Sequence, residues 1–407
     1  MQIRPILTAL RHHKGGTALI VLQIALTLAI ICNALFIIHQ RVVRLSRPSG
    51  VDEAHVLVIQ NQWIGSPAPQ QAQALMASDL ETLRRVPGVA DVYASNAYPL
   101  GDGGWSKGVR YTTDQKTATS PTAIYFVDEH ALDTLGLKLV AGRNFRANEI
   151  GQMGARDSLV PRVIIITQAL ADKLFPGVAA VGKTICIGSA PPSTIVGVVA
   201  RLQTWIGSFS DAWVERSTLV PYRLLGSGTT FLIRVQPDQL ADVMRVAPKA
   251  LSVANPLRVI GVKDVHTFDQ IRAGAYRSDR GMAILMSVIC VVLLATTAAG
   301  IVGLTSFWVG QRRKYIGVRR ALGATRGDIL SYFCTENGLI SLGGVIVGAA
   351  LAILLNMLLV DRFEMQRLSS VYIAVGAVAV LLLGQSAVIV PAWRASRVSP
   401  VEATRSG

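Results

Sequence analysis

The sequence predicts an α-helical membrane protein: four transmembrane helices, with a large two-lobed α+β extracytoplasmic domain between the first and second. Three observations predict it. Apolar stretches occupy 17–40, 281–309, 331–360 and 371–390, and crossing a hydrocarbon core of about 30 Å takes roughly 20 such residues. Segment 41–280, between the first two, turns globular in composition and mixes strand and helix periods. Basic residues concentrate in short segments that flank the spans on one side.

Composition bounds the class. Of 407 residues, 51% are hydrophobic and 16% charged, where a soluble domain carries about 25% charged residues. The formal net charge of +15 raises nucleic acid as a partner, so its distribution decides. Segments 1–16, 310–330 and 391–407 together hold 12 Lys and Arg against two acids, Asp328 and Glu402. Segment 41–280 holds 26 against 20 acids, an ordinary mixed surface. The excess follows loops retained at the cytoplasmic face of a lipid bilayer. No nucleic acid is needed to explain it, and both termini are expected in the cytoplasm.

Taken in order, residues 1–16 place Ile3, Ile6, Leu7 and Leu10 on one face and predict a cytoplasmic interfacial helix. Thr17 to Ile38 then runs 22 residues without a charge. A signal peptide has a shorter apolar region and a small-residue cleavage site, so this stretch predicts a retained anchor. Gln23 and Thr27 share one of its faces and predict contact with another helix.

Within 41–280, the β-branched runs His55–Gln60, Val163–Thr167, Thr194–Val199 and Thr230–Val235 predict strands. Ala74–Val86, Gln168–Phe175 and Pro237–Val253 carry helical patterns, and Pro87-Gly88 and Pro176-Gly177 supply turns after two of them. Cys186 is alone in this segment, since Cys32, Cys290 and Cys334 fall in or beside spans, so no internal disulfide is expected. The six histidines show no metal-ligand spacing, and neither a metal site nor a catalytic constellation is expected. In the later spans, Ala299/Gly303 and Gly344/Gly348 are small-xxx-small pairs suited to close helix packing. The 361–370 loop has two acids and two bases between Asp361 and Arg367, as suits the outer side, and 391–407 forms a cytoplasmic tail.

The most informative stretch is Gln311 to Leu330, QRRKYIGVRRALGATRGDIL. Helical spacing puts Ile316, Arg319, Arg320 and Gly323 on one face, and Val318, Leu322 and Ile329 on a narrow apolar stripe. A basic amphipathic helix of this kind lies at the cytoplasmic surface.

Its wording resembles the signature of the MacB/FtsX-like ABC transporter permeases, in which R-R-x-E-I-G-x-R-R-A-L-G-A precedes a span that opens with an acidic residue. Tyr315 stands where the family usually has Glu. The ending PAWRASRVSPVEATR, Pro391 to Arg405, resembles the family's P-A-x-R-A ending, with Thr404 replacing Leu. ALDTLGLKLVAGRNF and VIIITQALADKLFPGVAAVGKTICIG resemble the inserted lobe of MacB-like extracytoplasmic domains. That implies an outer lobe at about 121–215, inserted in a lobe formed by 50–120 and 216–265.

The resemblance implies that 310–330 is a coupling helix docking on a separate cytosolic ABC ATPase, which would bind ATP and Mg. The coupling residues it implies are Arg312, Arg313, Ile316, Gly317, Arg319, Arg320, Ala321, Leu322, Gly323 and Ala324, with Glu336 as a span-positioning acid. It further implies a bacterial inner-membrane protein paired with a second permease copy or a paralogue. The expected activity is export with a periplasmic adaptor and an outer-membrane channel. Lipoprotein extraction and FtsX-like regulation of a periplasmic hydrolase are its alternatives.

One stretch imitates other chemistry. Gly177 to Thr184 matches G-x-x-x-x-G-K-[ST], and Ile124 to Glu129 imitates the apolar strand and paired acids of an ATPase. A phosphate loop must open a helix, yet Thr184 leads into Ile-Cys-Ile-Gly, which reads as strand and turn. Nucleotide binding by this chain is therefore not expected.

Overall fold

A computed structural model describes residues 14–205, 212–363 and 367–396. The expected interfacial helix at 1–16 lies almost wholly outside the described residues, as do 397–407 of the tail and 364–366 of the outer loop. The chain divides into two compact units, one of residues 1–45 and 279–407 and the other of 46–278.

Four helices in the membrane unit are long and apolar enough to cross a membrane. They run Lys14–Leu45, Arg277–Gln311, Arg326–Phe363 and Ser370–Ser396, and are called here the first to fourth spans. Each extends past its expected ends, because polar residues at the termini continue the helical turns. The first span is central: Ile20, Ile24, Ala25, Leu28 and Cys32 are all buried.

Small residues and polar groups set the packing. A Cβ added to Gly344 would lie 2.6 Å from Ile24, and one on Gly348 would lie 2.9 Å from the Ala25 carbonyl. The third span thus meets the first almost backbone to backbone. The other expected pair differs. Ala299 and Gly303 are exposed, and a Cβ on Gly303 would meet nothing within 4 Å. In the second span it is Gly300, three positions before Gly303, that packs closely: a Cβ on Gly300 would lie 2.6 Å from Gln23.

Gln23 and Thr27 face the second span: Gln23 donates to the Thr296 carbonyl at 3.2 Å, and the Thr27 and Thr297 hydroxyls are 2.7 Å apart. Asn33 donates to the Ala352 carbonyl at 3.2 Å, and Asn356 accepts from the Leu368 amide at 2.9 Å. In hydrocarbon such groups need internal partners.

The outer unit holds two larger sheets. In the five-stranded sheet, Val56–Trp63 pairs antiparallel with Gly228–Val235, which pairs with Val89–Ser95; Arg258–Val259 and Val265–Thr267 edge the first strand. Alternate residues Leu57, Ile59, Phe231 and Ile233 pack against helices Pro69–Arg84 and Leu240–Ala254 through Met76, Leu80, Val243 and Ala247. The period of two in the strands and of about four in the helices brings these sets together.

In the seven-stranded sheet the order is Leu139–Gly142, Pro192–Val199, Val163–Thr167, Ser217–Val220, Ser120–Phe126, Trp105–Arg110, Thr184–Ile187. The last strand also pairs with Pro192–Val199, so six of the strands close into a ring around Ile124, Phe126, Ile164, Ile185 and Ile195. This corrects the expected lobe boundary. Trp105–Arg110 and Ser217–Val220 both pair with Ser120–Phe126, so hydrogen bonding assigns them to the inserted lobe. The insertion therefore begins after Ser95 and ends before Gly228.

Candidate functional site

The stretch expected as one helix over 310–330 is a short helix, a turn and the start of the third span. Helix Arg313–Ala321 follows the second span with only Arg312 between them. The Arg312 amide donates to the Trp308 carbonyl at 3.1 Å and the Ile316 amide to the Arg312 carbonyl at 2.9 Å, so helical bonding runs through the junction.

The short helix stops at Gly323, whose φ is +100°, and the Ala324 amide donates back to the Arg319 carbonyl at 3.1 Å. A six-to-one bond around a left-handed glycine is a Schellman cap. Thr325 then opens the third span. Its amide donates to Asp328 Oδ2 at 2.9 Å, and the Asp328 amide to Thr325 Oγ1 at 3.2 Å, a reciprocal capping box. Gly323 therefore lies beyond the helix and not on a face shared with Ile316, Arg319 and Arg320. Its glycine is required by backbone conformation, since a Cβ there would meet nothing within 4 Å.

The short helix has an anchored side and an open side. On the anchored side, Ile316 is buried with Ile329, Phe333 and Trp308. Arg312 donates to Glu336 Oε1 at 3.1 Å and Oε2 at 3.0 Å, with Glu336 buried. The Arg319 guanidinium lies 5.4 Å from the Tyr332 ring centroid, within cation–π range. Gly317 is buried and Ala324 half-buried. On the open side, Leu322 is 82% exposed and Val318 46% exposed, with Ala321 and Gly323 beside them. The side chains of Arg313 and Arg320 lie outside the described residues.

Sequence reasoning missed how Glu336 is backed. Asn337 donates to the Gly384 carbonyl at 3.0 Å, and Gln385 to the Cys334 carbonyl at 3.4 Å. The residue receiving Arg312 thus sits where the third and fourth spans are tied. Polar residues inside the last two apolar runs were the available signal. Sequence reasoning also missed a sealed pair in the outer unit. Arg258 donates to Asp79 Oδ1 at 2.7 Å and Oδ2 at 3.2 Å, and to Asn61 Oδ1 at 3.2 Å, with its guanidinium 4.3 Å from the Trp63 ring. Asp79 shares a helical face with Ala72, Met76, Leu80 and Leu83; an acid on an apolar face was its signal.

The imitated phosphate loop has a different context. Gly177 and Gly182 have φ of +71° and +85°, and Thr184 opens strand Thr184–Ile187. Lys183 packs over the Phe175 ring at 4.4 Å. Asp128, of the imitated acid pair, is buried against Arg223 at 3.0 Å; burial raises its pKa, opposed by that guanidinium. Among the described residues, no group of three or more His, Cys, Asp or Glu side chains could hold a metal ion.

Residues 17–251 match the MacB-like periplasmic core domain, and 287–400 the FtsX-like permease C-terminal domain. A macrolide export ATP-binding/permease protein MacB from Neisseria gonorrhoeae is 31% identical over 320 residues, 76% of this chain and 47% of its own length. The MacB of Bordetella avium is 27% identical over 98% of this chain and 59% of its own length. The chain thus spans about half the length of these relatives. The solved periplasmic region of MacB from Actinobacillus actinomycetemcomitans aligns with 57% of this chain and 97% of its own, at 14% identity and a TM-score of 0.36. With both family domains matched in order, and four helices long and apolar enough to cross a membrane, the chain belongs to the MacB/FtsX-like ABC transporter permeases, multi-pass proteins of the inner membrane.

Proposed function

We propose that this chain is a non-catalytic permease subunit that turns ATP hydrolysis on a separate cytosolic ABC ATPase into movement of its outer domain. ATP and Mg bind that partner. Two permeases, either copies or paralogues, pair in the membrane, and the cycle drives efflux through a periplasmic adaptor and an outer-membrane channel. In this reading both termini and helix Arg313–Ala321 lie in the cytoplasm and 46–278 lies outside. The basic bias of 310–330 and the export named for the relatives support it.

One observation carries the reading: the short helix is anchored on one side and leaves Leu322 and Val318 open on the other. An exposed apolar tip on a helix of basic sequence fits a partner groove with acidic walls. Its anchored side passes displacement to the third span through Ile316 and the Arg312–Glu336 pair.

The test is Leu322→Glu in the full chain. Recovery of the co-purifying ATPase is expected to fall at least tenfold, with the outer domain still folded and inserted. Unchanged recovery and unchanged ATP turnover would reduce the helix to a topology signal and sink the reading.

A further inference from the structure

The chain passes between its two units twice, at residues 45–46 and 278–279. On each side of that boundary the two passages are tied to one another. In the membrane unit, Arg41 near the end of the first span donates to Asp279 near the start of the second, and Arg44 lies 3.9 Å from the same carboxylate. Asp279 is buried.

In the outer unit the tie is a fork. Arg272 Nε donates to Glu53 Oε2 at 2.8 Å, and a terminal guanidinium nitrogen donates to Oε1. The other terminal nitrogen donates to the Arg47 carbonyl at 3.1 Å, and Ser49 Oγ donates to the same Glu53 carboxylate at 2.5 Å. A second link runs through Gln203. Its amide donates to the Ser49 carbonyl at 2.7 Å, and its side chain to the Tyr276 hydroxyl at 2.7 Å. Ser49, Gln203 and Tyr276 are all buried. Gly50, at φ +91°, lets the outgoing segment lie on this link, since a Cβ there would stand 2.3 Å from the Arg201 carbonyl.

These contacts join 47–53, which leaves the first span, to 272–276, which leads into the second. Two loose tethers would absorb a displacement of the spans. A fork-to-fork guanidinium–carboxylate pair fixes both direction and distance, and separating it would leave a half-buried carboxylate without its partner, which resists opening.

We propose that Glu53 and Arg272 are positioning residues of the transport cycle. Their pairing clasps the two passages into one linkage, so that movement of the spans reaches the outer domain. The inference rests on the proposed function, in which ATP hydrolysis moves that domain.

The experiment uses the full chain co-purified with its ATPase in lipid nanodiscs. Dyes on Val178→Cys and Arg362→Cys, both exposed positions, report the change in energy transfer on adding ATP, Mg and vanadate. Glu53→Gln and Arg272→Gln are each expected to shrink that change at least fivefold while ATP turnover stays within twofold. The swap Glu53→Arg/Arg272→Glu is expected to restore more than half of it. A merely structural pair would not separate turnover from movement. Single variants that move like the wild type would overturn the clasp and leave the proposed function standing, as would a joint loss of movement and turnover that the swap does not repair. A wild type with no nucleotide-dependent change would overturn the proposed function, and the clasp with it.

Discussion

Arg258 and Arg312 each meet a buried carboxylate, and the two pairs are built differently. Arg258 in the outer unit is enclosed: its side chain is 1% exposed, both carboxylate oxygens of Asp79 accept from it, Asn61 takes another hydrogen and Trp63 covers the plane. Arg312 in the membrane unit reaches both oxygens of Glu336 with a single nitrogen and is 17% exposed. The first pair is surrounded by packing that admits one arrangement. The second joins a short helix with an open side to the third span, which in the proposed function is where a partner's movement would pass. Enclosure suits a pair that holds a fold, and partial exposure suits one that has to transmit.

The largest effect expected from this contrast is at Arg258. Arg258→Met leaves Asp79 buried without its counter-charge, which typically costs about 3–5 kcal/mol. Hydrogen exchange of strand Val56–Trp63 in the full chain would measure it. The double variant Arg258→Met/Asp79→Leu is expected to recover most of the loss, since an apolar pair of similar volume needs no desolvation of charge. If the double variant were as unstable as the single, the pair would be more than a satisfied core charge.

At Arg312 the expected effect is smaller on stability and larger on coupling. Arg312→Gln removes a charged hydrogen bond, about 1.5–3 kcal/mol in a buried setting, and less where water reaches the group. Helix Arg313–Ala321 keeps Ile316 in the core, so the ATPase is expected still to bind. Turnover that depends on the outer domain is expected to fall about tenfold, a change of roughly 1.4 kcal/mol in the coupled step. Equal losses of binding and coupled turnover would instead place Arg312 in the docking surface and erase the contrast.

The two pairs also differ in how far they could be read from sequence. Arg312 and Glu336 stand 24 positions apart on either side of one motif, and the motif pointed to both. Asp79 and Arg258 are separated by 179 positions, and only folding of the sheet between them brings them together. The spans were legible because hydrocarbon imposes length and composition on a local window. The lobe boundary was not, because strand partners are chosen by pairing between distant segments: nothing near Ser217 says that it will lie beside Ala123. Gly323 shows the intermediate case. Its position was legible, but periodicity placed it on a helical face, whereas a left-handed residue ends the helix.

The smallest expected effect separates enclosed from exposed pairs by the sign of their response to pH. In the outer unit, Arg143 donates to both oxygens of Glu149 at 2.6 and 2.8 Å, and the pair is partly open to solvent. Hydrogen bonding from Arg143 first, with the Arg146 amide and nearby charge adding to it, holds the Glu149 pKa below its ordinary value. A folded-state pKa below the unfolded one gives a contribution that is present above about pH 4.3 and is lost as pH falls through the folded value. For Asp79 burial is the largest influence and outweighs Arg258, so its pKa is raised. That contribution is fullest below about pH 3.9 and declines as pH rises through the folded value. Glu149→Gln is therefore expected to cost under about 1 kcal/mol at pH 7, as exposed pairs do, and nothing once the medium is acid enough to protonate Glu149 in the folded protein. Asp79→Asn is expected to cost more at the acid end than at pH 7, where the wild type must keep a charge buried. Hydrogen exchange of the same amides at several pH values would compare the two variants. Parallel profiles would mean that enclosure does not decide how these pairs titrate.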